Sequence, residues 1–84
     1  MVKKIWCVYL LECKNNSVYT GITNDLNTRM LKHQTGKGSK YVKSNGFKKL
    51  LGSISALNKS NASKLEYEIK QLPRTEKLKK FNLI

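Results

Sequence analysis

The chain holds five carboxylates, Glu12, Asp25, Glu66, Glu68 and Glu76, and their distribution decides which metal chemistry is open. Two-metal hydrolysis needs several carboxylates converging on ions ~4 Å apart, and the scatter of these five argues against it. A single magnesium ion needs only one or two, with water and a substrate phosphate completing its shell. Glu66 suits that task best. On the stripe formed by Ala62, Leu65 and Ile69 it falls about 60–80° from the centre, at the edge of the buried face. The ordinary alternative for it is an i, i+4 ion pair with Lys70. Arg29 and His33 stand four residues apart, and a helical projection puts both within about a 100° arc shared with Leu26 and Met30. A guanidinium held there can clamp a phosphate and offset the charge that grows in phosphoryl transfer. The plainer alternatives are a snorkelling surface arginine and a hydrogen-bonded edge histidine. Gly36-Lys37-Gly38-Ser39-Lys40 is basic and glycine-bracketed but lacks the G-x-x-x-x-G-K-[ST] spacing, which excludes P-loop nucleotide hydrolysis. Lys40 remains a candidate phosphate contact. One His and two Cys far apart leave no zinc-ligand spacing.

These side chains need elements to hold them. Ile5 to Cys13 is apolar and β-favouring, and Lys14-Asn15-Asn16-Ser17 follows as a turn cluster. Val18 to Ile22 reads as the partner strand of a hairpin. Thr23, Asn24 and Asp25 offer caps for a helix at about residues 25–35, stopped at Gly36. A short helical turn is expected near Lys40 to Lys43, and Asn45-Gly46 marks a turn. Phe47 to Leu57, carrying Leu51, Ile54 and Leu57, reads as a third strand. Ala62, Leu65, Ile69 and Leu72 form a helical stripe that opens at Asn58 to Asn61 and ends at Pro73. Thr75 to Phe81 adds a last short helix, with Leu78, Phe81 and Leu83 as docking residues. Trp6, Tyr41, Phe47 and Tyr67 are expected to pack, with base stacking the alternative.

Composition restricts the partners. Eighty-four residues suit one domain over 1–84 with a thin core, burying roughly 60–65% of the surface of the unfolded chain. Seventeen Lys and Arg against five Asp and Glu give +12, a self-repulsion that a polyanion relieves. Nucleic acid is the expected partner, and no apolar run or basic amphipathic helix argues for a membrane. Cys7 and Cys13 lie ~20 Å apart along one strand, too far for a disulfide. Free thiols, and a start without a leader-peptide pattern, point to a reducing cytoplasm.

Val8-Tyr9-Leu10, followed ten residues after Tyr9 by Tyr19-Thr20-Gly21, resembles the paired tripeptides that name the GIY-YIG nuclease family. The resemblance continues through Ile22-Thr23-Asn24-Asp25, Arg29, His33, Gly36-Lys37-Gly38-Ser39-Lys40-Tyr41 and Leu65-Glu66-Tyr67. It spans nearly the whole chain and is greatest to the family's small standalone branch. It implies an α/β (α+β) fold, a three-stranded antiparallel sheet flanked by helices, with one shallow site. It also implies roles: Tyr9 as the phenol that deprotonates water, Arg29 as phosphate clamp, Glu66 as ligand to one Mg2+ or Mn2+ ion, and Tyr19 and His33 as positioning groups. Gly21, Lys37, Ser39 and Lys40 would meet the nucleic acid. The tripeptides keep both phenols and the glycine but change their neighbours. Larger members also carry an additional Asn after the metal-binding Glu, a role not assigned to Asn82, and a second DNA-reading domain. The lack of that domain leaves substrate preference open; a monomer is expected, with a targeting protein as candidate partner.

Two readings follow from different classes. One is a metal-dependent phosphodiester hydrolase acting on DNA in preference to RNA; the alternative is a non-catalytic basic binding module on the same fold. A ribosomal-type RNA-associated protein would explain the charge but not the set Tyr9, Tyr19, Arg29 and Glu66. The hairpin register offers a structural discriminator. With a two-residue loop at Asn15-Asn16 the cross-strand partners sum to 31, and the two phenols lie on opposite faces. A three-residue loop through Ser17 makes the sum 32 and puts them together, as a shared site requires.

Overall fold

The apolar run around Tyr9 becomes the middle strand of the sheet because both of its faces are covered. In the computed structural model, which describes residues 4–83, the order is β1 (Cys7–Cys13), β2 (Val18–Thr23), α1 (Leu26–Gln34), α2 (Lys40–Asn45), β3 (Phe47–Ser55), α3 (Lys59–Lys70) and α4 (Arg74–Lys80). Met1 to Lys3, part of the start on which the absence of a leader was argued, lie outside the described residues, as does Ile84. The strands pair antiparallel in the order β2-β1-β3. The expected three-stranded antiparallel sheet flanked by helices is therefore present.

Alternation along β1 separates two apolar layers. Val8 and Leu10 join Ala62, Ile69 and Phe81, with Trp6, Val18, Ile22, Leu51, Ile54, Leu65 and Leu78 around them. That face carries α3 and α4. Tyr9, Leu11 and Cys13 join Val42 on the other face, ringed by Tyr19, Leu26, Met30, Phe47 and Leu50. That face carries α1 and α2. Leu50 and Leu51 face opposite layers as strand neighbours do, but strict alternation in β3 could not put Leu51 and Ile54, three residues apart, in one layer. A bulge resolves this: Leu10 pairs with Gly52 and Leu11 with Leu50, so Leu51 is the extra residue, and it joins Ile54 beneath α3 while Leu50 stays in the Tyr9 layer.

Side-chain caps fix the helix starts. Asp25 accepts from the Thr28 N–H at 3.2 Å, Ser39 Oγ from Val42 at 3.3 Å, and Asn58 from Asn61 at 2.9 Å. Each satisfies a donor that the first turn leaves unpaired. Asn58 also explains a difference from expectation. The cap ends β3 at Ser55 and leaves Leu57 outside the strand, 90% exposed. Phe81 docks under the sheet as expected and Leu78 packs beside it, whereas Leu83 stays outside the core. Asn82 takes a left-handed φ of 59° where α4 ends, and the Leu83 N–H donates to the Leu78 carbonyl at 2.9 Å, a helix-terminating arrangement. Arg74 at the start of α4 reaches back to the hairpin, donating to the Asn16 carbonyl and pairing with Glu12 at 3.3 Å.

The hairpin loop is Lys14-Asn15-Asn16. The Cys13 N–H donates to the Ser17 carbonyl at 2.8 Å and the Asn16 N–H to the Cys13 carbonyl at 2.9 Å, with Asn16 at φ 70°. This is a three-residue loop closed by a left-handed residue. Tyr9 pairs with Gly21 and Leu11 with Tyr19, so partners sum to 30 and not to 31 or 32. The loop length is as expected but lies one residue earlier. The even sum keeps both phenols on one face.

Candidate active site

Tyr9 is 1% exposed at the centre of the sheet, and its phenol extends over the backbone of its cross-strand partner Gly21. A Cβ on Gly21 would stand 2.5 Å from Tyr9 Cζ and closer still to its hydroxyl. Glycine is required there by space, without any unusual φ. Tyr19, diagonal to Tyr9 across the pair, holds its ring centroid 6.3 Å away. His33 descends from α1 into the same layer, 2% exposed, with centroids 5.7 Å from Tyr9 and 5.6 Å from Tyr19, both edge-on. Its Nε2 lies 2.8 Å from the Tyr9 hydroxyl, a buried hydrogen bond.

The state of that bond follows from its surroundings. Burial, then the nearby Arg29 charge, lower the His33 pKa, so the imidazole is neutral at pH 7. Its Nδ1 has no hydrogen-bond partner among the described residues and faces Gly38, where a Cβ would stand 2.5 Å away. An unpaired buried N–H is costlier than an unpaired lone pair. This favours the tautomer in which Nε2–H donates to Tyr9 Oη, leaving the phenolic proton free to point outward. Burial raises the Tyr9 pKa strongly, and the charges of Tyr19 and Glu66 add to this, while Arg29 opposes it. Tyr9 thus lies within electrostatic reach of the other three.

Arg29 is half-buried on α1, beside Leu26 and Met30 of the Tyr9 layer, and makes no hydrogen bond or ion pair among the described residues. It lines a cleft of about 190 Å³ with Lys4, Asn24, Asp25, Thr28 and Lys32, in which three cations face one carboxylate. Glu66 on α3 has a side chain 23% exposed, and Lys70 stands 3.6 Å from it. The ordinary i, i+4 pair is present, and both features hold together. Among the described residues no three His, Cys, Asp or Glu cluster as a metal cage. One half-buried carboxylate fits a single hard cation whose remaining positions are water and phosphate, and does not fit a preassembled two-metal centre.

The other expected contacts are dispersed. Lys37 and Lys40 are exposed, and Ser39 is half-buried and caps α2. Gly21 is buried beneath Tyr9. Trp6 and Phe47 pack as expected, with the Lys59 ammonium 5.7 Å from the Trp6 ring. Tyr41 and Tyr67 do not: they are 43% and 69% exposed. Two residues already named have a place in the site that the sequence reading did not give them. Gly38 gives room for His33, signalled only by a glycine where no turn is needed. Tyr41 stacks on Tyr19, with centroids 5.7 Å apart and planes 26° from parallel, signalled only by an aromatic in a basic, glycine-rich run.

Residues 5–82 match the family model described as "GIY-YIG catalytic domain". A UPF0213 protein of Oceanobacillus iheyensis is 51% identical over 72 residues, covering 86% of this chain and 84% of that protein. One from Cupriavidus necator is 47% identical over 72 residues, covering 86% and 78%. The solution NMR structure of the UPF0213 protein BH0048 from Bacillus halodurans superimposes with a TM-score of 0.57 at 41% identity, covering 93% of this chain and 83% of that one. Matched along nearly its whole length, the chain that holds this buried tyrosine–histidine pair over a glycine belongs to the GIY-YIG family and is similar to its UPF0213 proteins.

Proposed function

We propose that the protein is a divalent-metal-dependent nuclease that hydrolyses phosphodiester bonds, in DNA in preference to RNA, with Tyr9 as the proton-accepting group. The observation that carries this is the hydrogen bond between Tyr9 and His33, held at the centre of the sheet within reach of Arg29 and Glu66. A hydroxyl needed only for packing would not require a buried imidazole with an unpaired nitrogen.

Each residue has a separable task. Arg29 holds the phosphate and offsets charge as the phosphorane-like geometry develops. Tyr19 and Gly21 confine the Tyr9 ring, and His33 donates to its oxygen, stabilising negative charge there. Tyr9 takes the proton of the attacking water either as phenolate or as a phenol that releases its own proton to solvent in the same step. Glu66 would hold a Mg2+ or Mn2+ ion, which when bound supplies Lewis-acid charge for the leaving 3′ oxygen and cancels a carboxylate charge that opposes phenolate. The excess of +12 draws the polyanion to the site.

The binding-module alternative has its own support. Lys70 already neutralises Glu66, and burial disfavours the phenolate that a base requires. The test is incubation of the purified protein with labelled DNA and RNA forms, with magnesium, with manganese and with chelator. Metal-dependent cleavage that disappears in Tyr9→Phe and Glu66→Gln supports the enzyme; binding without cleavage in every condition leaves the module.

A further inference from the structure

Tyr41 has no packing task that accounts for its position. It lies in the first turn of α2 with one ring face stacked on Tyr19, yet the residue remains 43% exposed. Among the described residues no second ring stacks on it. Its hydroxyl has no hydrogen-bond partner among the described residues, so the ring is not anchored by its polar end. Exposed lysines 37, 40 and 43 surround it in sequence. The rings form a continuous series from the surface inward: Tyr41 on Tyr19, and Tyr19 against both His33 and Tyr9. One ring, that of Tyr19, therefore separates Tyr41 from Tyr9.

An open aromatic face beside cationic side chains is the arrangement that receives a nucleobase, whose π-face any such ring accepts. Bases within a continuous duplex have both faces occupied by their neighbours and cannot use it without unstacking. We propose that Tyr41 is a base-stacking residue whose open face receives an unpaired base next to the phosphate at Tyr9, so that strands with unpaired nucleotides are bound in preference to continuous duplex. The position of the phosphate rests on the nuclease reading above; the stacking itself does not.

The experiment places 2-aminopurine at successive positions of a single-stranded oligonucleotide and of the same strand in duplex. Fluorescence and affinity are followed near physiological salt with chelator present, so that no cleavage is needed. Wild type and Tyr41→Phe should quench the probe at one or two positions. Tyr41→Ala and Tyr41→Leu should lose the quenching and bind the single strand about 5- to 100-fold more weakly, with duplex binding little changed. Leucine keeps an apolar cover over Tyr19, so a merely structural tyrosine would leave Tyr41→Leu like wild type, and that result overturns the proposal. Equal wild-type affinity for single strand and duplex, or no binding to either, overturns it as well. A parallel arm with magnesium or manganese separates the two readings. Quenching without cleavage removes the nuclease and leaves the stacking residue; cleavage with quenching indifferent to Tyr41→Leu does the reverse.

Discussion

Replacing Gly21 by alanine tests the geometry of the site without assuming catalysis. The backbone at Gly21 has no positive φ, so alanine is conformationally acceptable and only space is at issue. The new Cβ would stand 2.5 Å from Tyr9 Cζ, whereas carbon atoms rest at about 3.5–4.0 Å. The phenol must retreat by ~1 Å. It cannot retreat freely, because Tyr9 is 1% exposed and its hydroxyl is 2.8 Å from His33; a shift of that size carries the bond beyond hydrogen-bonding range. Overpacking of a filled core costs about 1–3 kcal/mol, and the broken buried bond adds ~1 kcal/mol or more. A destabilisation of roughly 2–4 kcal/mol is expected, a large share of what an 84-residue domain possesses. Gly52→Ala is the matched control: it also lies in the sheet, but its Cβ would meet Phe81 Cδ1 at 3.6 Å, an ordinary contact, and it should change stability by less than about 1 kcal/mol. Urea unfolding of both variants gives the two values, and NMR of the single histidine reports whether His33 has lost its partner. If Gly21→Ala matched Gly52→Ala in stability and left the His33 resonances in place, the packing of Tyr9 against this backbone would be refuted.

His33 is the one histidine in the chain, and its pKa is lowered by burial and Arg29. Above the ordinary value near 6.5 both folded and unfolded forms are neutral; as pH falls below it the unfolded chain takes up the proton first, so stability should fall on acidification through that window and flatten in His33→Gln, as read by urea midpoints from pH 8 to 5. Tyr9 has the opposite sign: its raised pKa means that stability present below about pH 10 is lost as pH rises further, which Tyr9→Phe should diminish. If the protein cleaves, Glu66→Gln, Tyr9→Phe and Arg29→Ala should each reduce the rate by at least about 100-fold, Glu66→Gln with duplex binding nearly intact, and the combined loss should be less than additive because the three act as one unit; equal metal-dependent rates in matched preparations would remove the catalytic assignment. Affinity for nucleic acid should fall steeply between low and physiological salt, as counterion release requires of a +12 chain, and a flat plot of log K against log salt would contradict an electrostatic interface. Thr20 Oγ1 is buried without a partner, so Thr20→Val, which keeps the shape and removes the orphan hydroxyl, should stabilise by about 1 kcal/mol in the same unfolding assay.

Local chemistry made much of this protein legible in its residues. The caps at Asp25 and Asn58, the stripe of Ala62, Leu65 and Ile69, and the apolar run before Lys14-Asn15-Asn16 placed α1, α3 and β1, because propensity, period and turn chemistry agreed there. The i, i+4 spacing of Arg29 and His33 turned both inward with Leu26 and Met30, and the fold makes that the face over Tyr9. The common face of Tyr9 and Tyr19 was a matter of parity, decided once the loop held three residues. The loop's position was not legible. Asn15 and Asn16 tolerate left-handed backbone almost equally, and Arg74 of α4, bonded to the Asn16 carbonyl from 58 residues away, favours one register. The bulge at Leu51 was equally hidden, since it answers to two layers that form only when α1 and α3 cover opposite faces. The same holds for the glycines. That Gly21 makes room for Tyr9 and Gly38 for His33 depends on contacts between segments remote in the chain. Sequence patterns record the periodicity within one element; close approach between elements is a property of the packed whole, and it alone decided which phenol meets the imidazole.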